Sequence, residues 1–588
     1  MSDEISLPKT DRWSKVIKMG DTTKVVPLDP SIFVKEFSRN ELHGLNVTFI
    51  NMPLRESARP NVPPEGPAIL AAILRGYGAK PHIIDLNGYR IEDEESKRRN
   101  LPCGRHMTLE EAEEMFVQHL QNHGDQDLIA FSGKITTLRW QENMAKIVKK
   151  HQPDCFLVTG GGLATEINTG LFNWIPELNA IGRSEGDDVI LVIAKDAITI
   201  KKYGWHQGVK SSEISKYYMG DYSSTHRFVY EGNRPKNLDL IAYPAWDLLE
   251  SDPYGHNLLE DYIKVPVWGL AANNSSATPF TMKRSLTTVS SRGCPYSCAF
   301  CYRGAQGEKN YGMRSLEHIA QQILGYVNKY DLDFIGFPDD NFAVSRKRIE
   351  RISKVFKEYG VDQIRWGTHT RMDEADERAF HMAKAGCVYI GFGAESADQH
   401  TLTNMQKGGF ILKNGFTPTK INGNTYDFPT TMVNAIKNCK SAGIHPNCTW
   451  IMAYPGEELQ HLKTSVAFTL WQKDFWPQGL PPGSDEYKLN QLAVNQSMFT
   501  ATAYPGTTMW RVVKDQLKEH FDISYNERGE PICDDNFHNY VLELDDATKV
   551  LNNKNGDPVN FGAMSMDQFL QAREYIDNRQ IEKILEMS

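Results

Sequence analysis

Two hydrophobic periods alternate along the second half of this chain, and no other feature restricts its fold as strongly. "DFIGFPDDNF" (333–342) is a short apolar run that ends in an acidic loop, and it reads as a buried strand. Before it, Ser315 is a good helix N-cap, and Leu316, Ile319, Ile323 and Val327 share one helical face. After it, "RKRIERISKVFKEYG" (346–360) is helical and ends on a glycine cap. "QIRWGTHTR" reads as a strand, "DEADERAFHMAKAG" as a helix and "CVYIGFGAES" as a strand. A helix at 429–442, the strand "PNCTWIMAYPGE", a helix at 457–472 and the strand "NQSMFTATAYPGT" continue the series. Strands that alternate with helices of this length build right-handed βα units on a parallel sheet. Working side chains then gather at the carboxyl ends of the strands.

The segment "SRGCPYSCAFCYRG" (291–304) stands at such an end, just after "SLTTVSS". It holds Cys294, Cys298 and Cys301. Nine cysteines in 588 residues would give this C-x3-C-x2-C spacing by chance only roughly twice in a thousand such chains. The other six, Cys103, Cys155, Cys387, Cys439, Cys448 and Cys533, are scattered and expected to be buried small apolar side chains. Three clustered thiolates suit zinc or an iron–sulfur cluster. A structural zinc site wants a fourth ligand, and no second C-x2-C or histidine pair follows at zinc-finger distance. A cubane cluster held by three cysteines leaves one iron open to a substrate or cofactor, so the spacing points to a catalytic cluster.

Cys294-Pro-Tyr-Ser-Cys298-Ala-Phe-Cys301 resembles the signature of the radical S-adenosylmethionine (radical SAM) family. The resemblance implies a partial (β/α)6, TIM-like barrel and a 4Fe–4S cluster whose open iron chelates S-adenosylmethionine. It also implies reductive cleavage to a 5′-deoxyadenosyl radical. In that family the aromatic before the last cysteine, here Phe300, packs by the adenine. "FPDDNF", with Asp339 and Asp340, resembles the acidic loop after the second barrel strand. Arg371 resembles the basic residue closing the third strand. "GFGAES" resembles the glycine-rich fourth, whose Glu395 is the candidate partner for the amino or ribose groups of S-adenosylmethionine. "NMQKG" (404–408), "AYPGEE" (453–458) and "AYPGTTMW" (503–510) complete the pattern.

The first two hundred residues show the same alternation. "LNVTFINMPLRES", "PHIIDLNG", "DLIAFSGKITTL", "CFLVTGGGLATE" and "LNAIGRSEGDD" are strands entering loops, separated by helices such as "PEGPAILAAILRGYGAK" and "WQENMAKIVKKHQ". This predicts a doubly wound, Rossmann-like α/β domain. Gly160-Gly161-Gly162 is not a dinucleotide fingerprint, because Thr165 stands where the third glycine belongs. The ordered set is instead similar to the cobalamin-binding domain ahead of the barrel in one large radical SAM subgroup. By that resemblance Ser132, Gly133, Gly160, Gly161, Gly162, Glu185 and Gly186 lie on the cobalamin side. "NLDLIAYPAWDLL" (237–249) resembles the subgroup's bridging segment. The D-x-H-x2-G motif that places a histidine on cobalt is absent, and neither His82 nor His123 fits it. The predicted organisation is a leader (1–44), a cobalamin-binding domain (45–191), a linker (192–283), the radical SAM barrel (284–510) and a C-terminal, partly helical extension (511–588). Insertions at 408–428 and 474–488 interrupt the barrel, the first on its catalytic face.

Such a chain is too long for one core. Its net charge of −9 and lack of a basic tract argue against a nucleic-acid partner. The stretch "MSDEISLPKTDRW" lacks the basic n-region and apolar h-region expected of a signal peptide, and the longest apolar candidate, "DDVILVIAKDAITI", is broken by Lys195 and Asp196. Few cysteines, in odd number, fit a reducing compartment, so a cytoplasmic location is expected. The resemblance implies a cobalamin-dependent methyltransferase acting on an unactivated carbon of an organic substrate, with methylcobalamin as methyl donor. A ferredoxin or flavodoxin is the implied electron donor. Three alternatives stay open on the sequence. One is a cyclase or rearrangement enzyme with the same cofactors, like the anaerobic magnesium-protoporphyrin ester cyclases. The others are a non-enzymatic iron–sulfur carrier or sensor, and a zinc-binding structural protein.

Overall fold

Six parallel strands form each of two sheets in the computed structural model. It describes residues 38–588 apart from 39, 57–58, 61, 204–226, 266–281, 303–310 and 547–548. Nearly all of the expected leader and much of the polar, tyrosine-rich part of the expected linker lie outside the described residues. The chain divides into two units. One runs to Tyr262 and takes in Lys514–Val559; the other comprises Ile263–Val513 and Asn560–Ser588.

The first unit is built on β1 (Asn46–Asn51), β2 (Lys80–Asp85), β3 (Leu128–Ser132), β4 (Phe156–Gly160), β5 (Ala180–Arg183) and β6 (Phe228–Glu231). Their order is β2-β1-β3-β4-β5-β6. The order reverses at β1, as in a doubly wound sheet, and loops on both sides of such a switch point open into one crevice. β6 was expected to be connecting chain. It pairs with β5 from Ala180↔Phe228 to Arg183↔Glu231, because "FVYE" can bury Phe228, Val229 and Tyr230 against the sheet. The run "VILVIAKDAITI" is part of the helix Val189–Tyr203, with Asp196 buried and bonded by the Tyr230 hydroxyl at 2.8 Å. Among the described residues no helix is long and apolar enough to cross a membrane.

The second unit carries β7 (Ser285–Thr287), the two-residue ribbon β8 (Ser291–Arg292) with β9 (Gly312–Met313), then β10 (Phe334–Phe337), β11 (Arg365–Thr370) and β12 (Cys387–Glu395). The hairpin β13 (Phe416–Ile421) with β14 (Asn424–Pro429) follows, then β15 (His445–Met452) and β16 (Met498–Thr500). The six barrel strands lie in sequence order, β7-β10-β11-β12-β15-β16, all parallel. The sheet is the expected partial (β/α)6 barrel. Trp366 on β11 packs on Phe356 of the helix Arg346–Glu358, with ring centroids 6.3 Å apart, so one sheet face is covered by helices. His369, Gly391, Gly393, Thr449, Ile451 and Phe499 are in mutual register on the other face, the interior of the barrel.

Helix starts follow the sequence closely. Ser315 caps Leu316–Tyr330, its hydroxyl accepting from the His318 amide at 3.1 Å. The 408–428 insertion contains most of the hairpin, whose solvent-facing alternation leaves Phe416 exposed. The 474–488 insertion leads into a short helix, Asp485–Leu492. The helices of the C-terminal extension divide between the units: Asp535–Glu543 belongs to the first and Met566–Asp577 to the second.

Candidate active site

The cysteine loop leaves β8 through Gly293, whose φ of +75° suits a residue without a side chain. Two backbone hydrogen bonds pin its far end: the Ala299 amide donates to the Met405 carbonyl, and the Met509 amide donates to the Ala299 carbonyl, each at 2.8 Å. The Cys301 amide closes a turn on the Cys298 carbonyl at 3.0 Å. The three thiols are half-buried. Burial first, and then the neighbouring Cys301, Cys298 and Glu374, push the Cys294 thiol up to about 11. A thiol whose ionisation is disfavoured in this way is one that a cation would draw down. Among the described residues no three His, Cys, Asp or Glu side chains already converge on one point, so ligand rotamers must close around an ion. The donor set still fits an iron–sulfur cluster: sulfur ligands only, on one loop pinned by its backbone.

Arg371 follows the last residue of β11 and is 7% exposed. Its Nη1 lies 3.6 Å from Cys298 Sγ, its Nε donates to Asp373 at 2.9 Å, and its guanidinium carbon sits 4.1 Å over the Tyr296 ring. Tyr296 lies between the first two cysteines and donates to Glu374 at 3.1 Å. Glu374 is buried, and burial raises its carboxyl although Thr370 and Asn341 bond to it.

The acidic loop is divided in its work. Asp339 is buried and accepts from the Ser290 amide at 2.7 Å and from the Ser290 and Ser291 hydroxyls. Those bonds brace the strand that feeds the cysteine loop, a different task from the expected place on the S-adenosylmethionine side. Asp340 is exposed.

Glu395 ends β12 at a φ of +63°, where the pairing with β15 slips by one residue. Its Oε1 meets Lys407 Nζ at 3.1 Å, and a Cβ on Gly393 would fall 2.3 Å from that oxygen. Gly393 is therefore the gap into which the carboxylate folds. Lys407 is 5% exposed, with Nζ 5.8 Å from the Phe300 ring. Tyr454, from the loop after β15, meets Phe300 edge-on at 6.5 Å. Phe300, Glu395, Lys407 and Tyr454 thus form one group, and Arg371 connects it to Cys298 through the Lys407 carbonyl. Sequence reasoning missed Lys407, Tyr296, Tyr454, Glu374 and His369 as site members. Lys407 and Tyr454 carried a signal inside "NMQKG" and "AYPGEE", and Tyr296 one inside the cysteine signature. His369, on the barrel interior, is pushed by burial to about 4, and a Cβ on Gly391 would fall 2.4 Å from its Cδ2.

In the first unit, Gly133 and Gly161 extend from the ends of β3 and β4. Gly161 has a φ of +89°, and a Cβ there would fall 2.7 Å from the Gly133 carbonyl oxygen. The two loops touch through bare backbone, together with Ser132, Gly160 and Gly162 beside them. Glu185 is paired with Arg234 at 2.7 Å, and a Cβ on Gly186 would meet Leu70 at 3.2 Å, so both act in packing their loop. His82 and His123 pack with His119, centroids 3.9 to 5.3 Å apart, beside Thr48 in the middle of β1.

A parallel half-barrel with three cysteines on a loop at its carboxyl edge is the setting of the family match: residues 288–469 match the Radical SAM superfamily. Particular relatives narrow the comparison. A protein described as an uncharacterized methyltransferase of Pyrococcus horikoshii is 25% identical over 390 residues, which is 66% of this chain and 69% of its own. The anaerobic magnesium-protoporphyrin IX monomethyl ester cyclase of Cereibacter sphaeroides is 22% identical over 407 residues, 68% of this chain and 55% of its own. Among solved structures, the radical S-adenosylmethionine methyltransferase TsrM of Kitasatospora setae, with cobalamin and a 4Fe–4S cluster bound, shares the fold with a TM-score of 0.52. That match has 13% identity and covers 80% of this chain and 75% of TsrM. The cobalamin-dependent radical enzyme OxsB, with aqua-cobalamin and S-adenosylmethionine bound, gives 0.56 at 15% identity, over 83% of this chain and 63% of OxsB.

Proposed function

We propose that this enzyme is a cobalamin-dependent radical SAM methyltransferase that acts on an unactivated carbon of an organic substrate. The observation that carries the proposal is the pairing, in one chain, of a three-cysteine loop on a half-barrel with a doubly wound unit whose loops meet through glycine backbone. Cys294, Cys298 and Cys301 would hold the 4Fe–4S cluster. When bound, the cluster supplies one electron for reductive cleavage of S-adenosylmethionine, and cobalamin supplies a transferable methyl group.

The chain's own residues bind and orient. Glu395 and Lys407 offer one anion and one cation, the complement of the ammonium and carboxylate of a methionine moiety. Phe300 and Tyr454 offer aromatic faces to an adenine. Asp340, exposed beside the braced Asp339, is a further polar contact on that side. Ser132, Gly133, Gly160, Gly161 and Gly162 let backbone approach a corrin closely, with Glu185 and Gly186 fixing the neighbouring loop. His82 on β2 and His123 at the end of the helix Leu109–His123 pack with His119 beside Thr48, away from the glycine loops at the strand ends. A ferredoxin or flavodoxin would be the electron source.

The deciding experiment is anaerobic purification with added cobalamin, followed by iron, sulfide, zinc and cobalt counts on one sample. About four irons and one cobalt per chain support the reading; zinc in place of iron overturns it. A second reading has support in the likeness to the magnesium-protoporphyrin ester cyclase: the same cofactors without net methyl transfer. Product mass separates them, since methylation adds one CH₂.

A further inference from the structure

Arg371 combines deep burial with an unusual set of neighbours. A buried guanidinium needs its charge compensated and its donors filled. Asp373, itself 5% exposed at the side chain, takes Nε at 2.9 Å. Nη2 reaches the Lys407 carbonyl oxygen at 3.4 Å. The Tyr296 ring supports the guanidinium face at 4.1 Å, and the Tyr296 hydroxyl is held by Glu374. The remaining fork arm, Nη1, is directed at Cys298 Sγ at 3.6 Å, within reach of an N–H···S contact. The guanidinium is thus fixed on three sides and aimed on the fourth at one sulfur.

We propose that Arg371 sets the reduction potential of the iron–sulfur cluster through the Cys298 sulfur; this rests on the reading of the three cysteines as cluster ligands. An N–H···S contact and an adjacent positive charge stabilise the more negative, reduced state over the oxidised one, so they raise the potential. The couple takes up one electron and no bond is made or broken. Arg371 touches the ligand and not the reacting atoms, so it is a tuning and positioning residue. Asp373 acts in the opposite sense, because its carboxylate offsets part of the guanidinium charge.

The test is a dithionite titration of the anaerobically reconstituted full-length enzyme, without substrate, followed by electron paramagnetic resonance. Iron and sulfide are counted on every sample. Arg371→Met is expected to shift the reduction equilibrium about tenfold toward the oxidised state, about 59 mV for a one-electron couple. Asp373→Asn keeps an acceptor of the same shape while removing the negative charge, and is expected to shift the equilibrium the other way. Clusters present at the wild-type potential in both variants overturn the proposal. If Arg371→Met fails to hold iron, Asp373→Asn decides alone: a raised potential supports the proposal and an unmoved one overturns it. Wild-type enzyme without iron would instead defeat the cluster reading itself.

Discussion

Cys298 and Glu457 show how differently single side chains are loaded here. Cys298 faces Arg371, yet the loop around it is held by backbone bonds at Ala299 and Met509 that do not involve the thiol. Cys298→Ala should therefore lose most bound iron and visible absorbance while the far-ultraviolet circular dichroism stays that of the wild type; iron retained at the wild-type level would remove this cysteine from the ligand set. Glu457, in the loop after β15, is fully buried, and among the described residues neither carboxyl oxygen has a well-formed hydrogen bond, although the Ala453 and Tyr454 amides lie nearby. Burial pushes its carboxyl up to about 8 from an ordinary 4.5. A raised carboxyl favours the folded state most below pH 4.5, and that advantage is lost as the pH rises toward 8. The window is worth on the order of 5 kcal/mol. Glu457→Gln should melt at a higher temperature than the wild type at pH 8, with the gap narrowing toward pH 5; parallel melting curves would refute this.

The helix Leu109–His123 repeats that logic with the opposite sign. Thr108 and Glu111 form a capping box at its start. His119 and His123, one turn apart, pack on His82 of β2, with Arg75 and Lys80 adding positive charge near His82. Burial holds His82 at about 4 and His119 at about 3, the latter with help from its two histidine neighbours. A depressed imidazole leaves stability intact above pH 6.5 and removes it as the pH falls toward the folded value. His119 alone contributes on the order of 3 kcal/mol of that loss by pH 4. His119→Gln should flatten the acid limb of urea unfolding between pH 6.5 and 4.5, and an unchanged limb would show that the cluster does not titrate as a unit. At this scale the sequence was legible where period and cap agreed: the Ser315 cap, the six barrel strands and the order of the first sheet's loops. It was not legible where a run was too short to show a period, as at β6, or where an insertion formed its own ladder, as in β13 and β14. Site partners such as Arg371 with Cys298, or Lys407 with Glu395, meet only through the fold, so spacing could not reveal them. The slip in β12 is of the same kind: it turns Glu395 out of the ladder's alternation, and nothing in "GFGAES" announces it.

The whole molecule depends on its last helices twice over. In the first unit, Phe537 and Tyr540 are buried, Phe537 packs on Trp174 at 5.6 Å, and His538 pairs with Glu142. In the second, Phe569, Ile581 and Ile584 are fully buried, Arg573 Nη1 donates to the Met498 carbonyl at 2.9 Å, and the Ala563 amide donates to the Glu457 carbonyl at 2.9 Å. Each such apolar side chain is worth about 1.5–3 kcal/mol, and a domain holds only about 5–15 in all. A chain ended after Val513 should therefore be insoluble or melt far below the full chain; a soluble product with unchanged melting would contradict this. Lys514–Val559 completes one unit and Asn560–Ser588 the other, so each sheet stays open until chain made after both sheets has folded back onto it, and two open sheets need shelter until then.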